Sequence, residues 1–293
     1  MAAERFDYSP IVGRRRLTWP GDARLAIWVV PNIEHYEYLP AEVRVRDPWP
    51  RQPHPDILNY GIRDYGNRVG LWRMFEVTDR HDVRCTVSLS LSVLEMYPEI
   101  LAAMEARRWE YMSHGLYNTR YHWGYTEDEE RAAIAACCAI HERRTGRKLR
   151  GWFSPAASFT LNTPDLVAEA GMTYYCDFYH DDQPTEIRVR NGRLVTIPYS
   201  MEINDSNVHR RPEDAEDFER AARDMFDRMY AEAERWGGLV MCLALHPYMM
   251  GAPHRIAYLD RTLAYLKSHD KVWWATGAEI ADHYLAWLDG GRR

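Results

Sequence analysis

Leu25-Ala26-Ile27-Trp28-Val29-Val30-Pro31-Asn32-Ile33-Glu34-His35 runs apolar through Pro31 and then delivers an amide, a carboxylate and an imidazole. An uninterrupted apolar run of strand length is the pattern of a strand buried on both faces in a parallel sheet. Gly238-Leu239-Val240-Met241-Cys242-Leu243-Ala244-Leu245-His246-Pro247 repeats the pattern and ends on a histidine. Tyr111-Met112-Ser113-His114-Gly115-Leu116-Tyr117-Asn118 repeats it more briefly, ending on a histidine and an asparagine. The exits of parallel strands are where α/β enzymes do chemistry, so three polar strand ends predict one shared pocket.

Outward from these runs the chain alternates strand and helix. A helix over 67–80 leads into a strand over 83–89. Helix 98–107, strand 109–113, helix 126–145, strand 149–153, helix 163–170 and strand 172–177 follow. Thr126 and Glu129 stand at capping-box spacing, Thr163-Pro164-Asp165 marks a helix start, and Gly146 and Gly171 mark helix ends. Residues 186–199 break the pattern, and Asn191-Gly192 between alternating residues predicts a small β-hairpin excursion. Helix 215–235, strand 238–245, helix 256–268, strand 272–275 and helix 278–288 complete the chain. Alternation of this kind builds parallel βαβ units. Seven or eight strands permit a closed but irregular (β/α) barrel or a doubly wound sheet. No G-x-G-x-x-G or Walker pattern follows a strand, which favours the barrel. Residues 39–64, carrying Pro40, Pro48, Pro50, Pro53 and Pro55, show no period and read as a lid or binding loop.

The 293 residues suit one α/β domain spanning 1–293, and 46% hydrophobic residues supply a core. A formal net charge of -6 argues against a nucleic-acid partner, which would need a basic face. The N-terminus has no signal-peptide core and no apolar run spans a bilayer, so no membrane association and a cytoplasmic location are expected. The five cysteines are scattered and read as reduced packing residues. Tyrosines and tryptophans that follow strands, such as Tyr36, Tyr117, Tyr121 and Tyr248, either pack beneath loops or wall a pocket for a small ligand.

Asn32-Ile33-Glu34, Ser113-His114-Gly115, Gly151-Trp152-Phe153-Ser154-Pro155, Asp181-Asp182-Gln183-Pro184 and Leu245-His246-Pro247 together resemble the NodB-homology polysaccharide deacetylases. Within them the chain is most similar to the allantoinase-like, metal-independent branch. The resemblance implies an irregular barrel of the polysaccharide deacetylase type, hydrolysis of an amide, and assembly as a homo-oligomer. It also implies an acidic base at the position of Asn32, a metal carboxylate at Glu34, and two histidines at His114 and Asn118. Two of these four positions carry neutral amides here, and an amide neither takes a proton from water nor ligates zinc well. The expectation is therefore either no cofactor or one divalent metal, zinc by chemistry, on Glu34, His114 and Asn118. His35 and His122 would complete such a site if they turned inward.

The resemblance gives His246 the role of general acid toward a leaving nitrogen, which suits an imidazole titrating near working pH. Asp205 is positioned to orient it. Glu34 then becomes the base that activates water, with Asn32 or groups near Trp152 steadying the oxyanion. His114 is read as a pocket residue. Asn118 and Arg120 either anchor a loop or bind substrate oxygens; Arg68 either belongs to a helix cap or sits near the pocket; Asp182 is a turn or a binding residue. The reading that follows is a hydrolase of non-peptide C–N bonds acting on a small cyclic amide, imide or ureide. Its alternatives are a metal-dependent N-acetyl-sugar deacetylase and an inactive homologue that binds carbohydrate or a partner.

Overall fold

The computed structural model describes residues 5–40, 55, 57–208 and 215–291. The strands in chain order are β1 (Leu25–Ile33), β2 (Thr86–Leu89), β3 (Glu110–Ser113), β4 (Gly151–Trp152), β5 (Tyr174–Tyr175), β6 (Thr185–Ile187), β7 (Leu194–Thr196), β8 (Leu239–Leu245) and β9 (Val272–Trp274). They form one sheet in the order β6-β7-β5-β4-β3-β2-β1-β8, with β9 also pairing with β1. Every pairing is parallel except β6 with β7. The helices are α1 (Ile57–Tyr65), α2 (Leu71–Arg80), α3 (Val93–Met96), α4 (Pro98–Ala106), α5 (Glu127–Thr145), α6 (Thr163–Glu169), α7 (Asp205–Val208), α8 (Ala215–Trp236), α9 (Ile256–Lys267) and α10 (Gly277–Gly291). This is the irregular α/β barrel that the alternation predicts.

The apolar run of β1 is buried throughout, and its two faces serve two cores. Leu25, Ile27, Val29 and Ile33 pack outward with helical residues such as Phe75, Ile134, Phe218 and Leu263. Ala26, Trp28 and Val30 point inward, against Met112, Tyr174, Val195, Cys242 and Ala244 from the other strands. Each fully buried Val, Leu or Phe side chain contributes about 1.5–3 kcal/mol, so this strand anchors the fold. Thr126 caps α5 in a complete capping box with Glu129, as its spacing predicts.

Two segments differ from the sequence reading. Of the expected lid over 39–64, residues 41–54 and 56 lie outside the described residues, and 57–65 are helical. The hairpin is present, but its second strand is a stave of the wall: β7 pairs in parallel with β5, and β6 forms the antiparallel edge. Among the described residues no strand ladder joins that edge to β8. The seam is bridged by irregular chain instead, where Val240 N–H donates to the Asp182 carbonyl at 2.9 Å and Ala244 N–H donates to the Ile203 carbonyl at 3.0 Å.

Candidate active site

The period-2 alternation of the inner face carries directly into the site. Asn32 and Glu34 continue the inward series of β1, and His246 follows Leu245, whose partner in register is Pro31. His114 leaves β3, where its N–H donates to the Leu89 carbonyl at 2.8 Å. All four side chains are buried: Asn32 1%, Glu34 5%, His114 2% and His246 6% exposed. Glu34 Oε1 lies 3.8 Å from His114 Nε2 and 3.6 Å from His246 Nε2. The three expected groups thus meet at the C-terminal ends of their strands. The seam supplies Asp205: Asn204 bridges to Ala244, and the next residue accepts from His246 twice, Oδ2 from its N–H at 2.8 Å and Oδ1 from its Nδ1 at 2.6 Å. The imidazole is thereby fixed with Nε2 toward Glu34.

Burial opposes the charge on His246, but the carboxylates of Asp205 and Glu34 outweigh it and push the imidazole up to about 9. It is therefore an imidazolium at neutral pH. Burial likewise would lift the Glu34 carboxyl, yet His114, His246 and the Arg63 guanidinium hold it well below the usual carboxylate range. Arg63 reaches in from α1, with Nε 3.5 Å from Glu34 Oε2. Tyr248 donates its hydroxyl to the same Oε2 at 3.2 Å. His114 stacks on Phe153 with centroids 4.8 Å apart, and its Nδ1 lies 3.2 Å from the Phe153 carbonyl, which leaves Nε2 for the pocket.

These groups line a cavity of about 120 Å³ together with Asn118, Phe153, Tyr179, Tyr199 and the Ala156-Ala157 turn. Asn32 Nδ2 donates to the Tyr199 hydroxyl at 2.8 Å and to the Leu245 carbonyl at 3.2 Å, so its Oδ1 faces away from those partners. The Oδ1 atoms of Asn32 and Asn118 are buried without hydrogen-bond partners. Buried acceptors left unmade cost about 1–3 kcal/mol each, which a bound ligand or water recovers. Ala156 and Ala157 carry φ of 55° and 54° on the cavity wall, a backbone that L-residues rarely adopt. Gly115, at φ 72°, is required by tight packing, since a Cβ there would stand 2.9 Å from Pro155 Cγ.

Other residues singled out in the sequence lie elsewhere. Arg120 is paired with Glu37 at 2.7 Å and joins two loops outside the cavity lining. Arg68 is exposed on the outer side of its helix, paired with Asp64. Asp182 faces a separate cleft at the seam, and Trp152 points away from the barrel interior, where its Nε1 donates to Ser154 Oγ at 3.0 Å. His35 turns to the Tyr97 hydroxyl at 3.1 Å and His122 to Glu130 at 3.3 Å, so neither joins Glu34. Arg63 and Tyr199 carry no role in the sequence reading, and Tyr248 enters there only as one of several loop aromatics that pack or wall a pocket. Arg63 stands in a segment noted for Arg68, and nothing but its three-dimensional placement distinguishes it.

The donor set does not suit a divalent metal. His246 Nδ1 is committed to Asp205, and its Nε2 carries the proton that the two carboxylates hold there. That leaves Glu34, His114 and an amide, and the carboxylate already faces a guanidinium. A divalent ion on Glu34 would meet the like charge of that guanidinium, which weakens its binding. Among the described residues no three His, Cys, Asp or Glu side chains are grouped to hold an ion.

Comparison with known proteins agrees with this architecture. A family profile described as polysaccharide deacetylase matches residues 62–175. A Schizosaccharomyces pombe protein provisionally named a polysaccharide deacetylase is 27% identical, covering 92% of each chain. The crystal structure of the Puue allantoinase superposes with a TM-score of 0.84 at 28% identity, covering 96% of this chain and 98% of that one. A Pseudomonas aeruginosa PAO1 structure, also provisionally named a polysaccharide deacetylase, gives 0.84 at 29% identity over 94% and 97% of the two chains. In its barrel, its strand-end residues and these matches along nearly its whole length, the chain is similar to polysaccharide deacetylases and to the Puue allantoinase.

Proposed function

We propose that this hydrolase of non-peptide carbon–nitrogen bonds acts on a small cyclic amide, imide or ureide by direct attack of water. The observation that carries the reading is the buried series Asp205, His246 and Glu34, with the imidazolium held between two carboxylates. Glu34 orients a water and takes its proton while His114 flanks the same oxygen atom. A carboxylate held this low is a weak base at rest. The positive charges that depress it also favour negative charge arriving on the substrate oxygen, which offsets that weakness. His246 donates from Nε2 to the leaving nitrogen, and Asp205 keeps the ring in the required orientation. Asn32 and Asn118 present unpaired amide oxygens to substrate N–H groups. A cavity of about 120 Å³ suits a small ring better than a sugar chain.

Turnover of a panel of imides, ureides, formamides and N-acetyl sugars tests this. Glu34→Gln and His246→Asn are each expected to lower kcat by about 10²–10⁴ in protein that circular dichroism shows to be folded. Full activity in either variant defeats the assignment. The names of the relatives favour a second reading, removal of acetyl from an amino sugar, which this site would perform only with a bound metal. Stoichiometric zinc, with N-acetyl-sugar turnover lost to chelators, is the result that selects it.

A further inference from the structure

Arg63 is the one arginine or lysine that lines the cavity among the described residues. Its guanidinium is held on several sides: one amino group donates to Asn59 Oδ1 at 3.3 Å and the other to the Tyr36 hydroxyl at 3.2 Å. Its faces lie against Tyr36 and Tyr248, 4.2 and 4.6 Å from the ring centroids. The remaining edge is Nε–H. It is buried without a hydrogen-bond partner, although it sits 3.5 Å from Glu34 Oε2. A charged donor fixed in place and left unmade, beside the proposed base, is arranged for an oxygen that arrives with the substrate.

We propose that Arg63 is a catalytic residue: its Nε–H receives the oxygen of the attacked carbonyl, and its fixed charge does for that oxygen what a metal ion does in a metal-dependent hydrolase. The role rests on the hydrolytic reading above. Water oxygen bonds to the carbonyl carbon, its proton passes to Glu34, and the π pair of the carbonyl moves onto the oxygen held by Arg63. Collapse re-forms that carbonyl and breaks the C–N bond as His246 gives its proton to nitrogen. The proton on Glu34 then returns to His246 Nε2, 3.6 Å from Oε1, and the site is reset with one water consumed.

The test uses hydantoin, dihydrouracil and succinimide as probes. Arg63→Ala is expected to lower kcat about 10²–10³-fold, the cost of one lost oxyanion donor, with KM changed less than kcat. Millimolar guanidinium should restore part of the loss, and Arg63→Lys should keep a small fraction of activity because the charge remains and the Nε–H edge does not. α1 has no buried residue, so these variants are expected to fold, which the unfolding temperature verifies. Zinc calorimetry gives a readout apart from turnover: Arg63→Ala should bind zinc at least about ten-fold more tightly than the wild type, because the competing charge is gone. Equal zinc affinity, or Arg63→Ala turnover within about three-fold of the wild type while Glu34→Gln is inactive, overturns the role of Arg63 alone. A wild type that hydrolyses none of the three probes overturns the hydrolytic reading for this ring class and this role with it.

Discussion

His246 faces Asp205 across the seam, Glu34 from β1 and the ring of Tyr248 on its own loop, while Arg63 stands behind Glu34. The two carboxylates prevail over burial, so the protonated form survives up to about pH 9. The acid role needs that form; kcat is therefore expected to hold through neutral pH and to fall as pH rises through about 9. A pH–rate profile of Asp205→Asn checks the cause: the limb should move to lower pH and kcat should fall about 10²-fold or more as the ring loses its orientation. An unmoved limb assigns it to another group. Because the folded value is raised, the pairing also stabilises the fold fully below the ordinary imidazole value of about 6.5 and loses that contribution as pH rises through about 9. Glu34, Asn32 and His246 are legible in the sequence because each stands at the polar exit of a long apolar run and inside a motif of the resembled family. Arg63 is not. It lies five residues before Arg68, roughly 140° around a helix, so one faces the pocket and the other the solvent. A helical segment with Ile57, Leu58 and Ile62 exposed gives no apolar stripe from which to tell the two sides apart.

At the scale of elements, the joint between α1 and α2 sets the pocket's rim. Gly66–Gly70 is a π-helical turn, a widened turn often found at functional sites. It presses two glycines onto the loop after His246: a Cβ at Gly70 would stand 2.0 Å from the Pro247 carbonyl oxygen, and one at Gly66 2.8 Å from Tyr248 N. Gly70→Ala must therefore displace backbone on one side of the joint. It is expected to cost about 1–3 kcal/mol and to lower kcat as the loop carrying His246 and Tyr248 shifts. Gly61→Ala, on α1 with nothing within 4 Å, is the control and should stabilise by about 0.5–1 kcal/mol. If chemical denaturation shows the two alike, the close packing at Gly70 is not what holds the rim. The sequence reading started this helix at Asn67, ten residues late, because Pro55, Gly61, Gly66 and Gly70 erase the helical period that tertiary contact with the His246 loop restores. β4 and β5 are shorter than their apolar runs suggested for a related reason: the runs show burial, whereas their ends depend on which neighbouring strand remains in reach.

At the scale of the whole molecule, the alternation of strand and helix, without a nucleotide-binding motif, favoured a barrel but did not show where it fails to close. Asn191-Gly192 announced a hairpin, and the parallel pairing of its second strand with β5 is a long-range choice with no local signature. The resulting gap between the hairpin edge and β8 opens into a cleft of about 1630 Å³, walled by Phe6–Ile11 and Arg14 on one side and by Asp181, Asp182 and Glu232 on others. The chain before β1 straps this seam. Arg5 forks onto Asp165 at 3.0 and 2.6 Å, Arg14 forks onto Asp181 at 2.8 and 2.6 Å, and Leu17 bridges to Gly237. The Arg14–Asp181 pair is 17% and 11% exposed, sheltered enough for hydrogen bonds between charged groups to count, at about 1.5–3 kcal/mol. Arg5→Ala with Arg14→Ala should therefore lower the unfolding temperature by several degrees. Turnover at 25 °C should stay within about three-fold of the wild type, because neither arginine lines the cavity that holds Glu34. An unfolding temperature that does not move would mean that the Asp182 and Ile203 bridges to β8 close the barrel unaided; a lost kcat would mean instead that the seam controls how Asp205 meets His246.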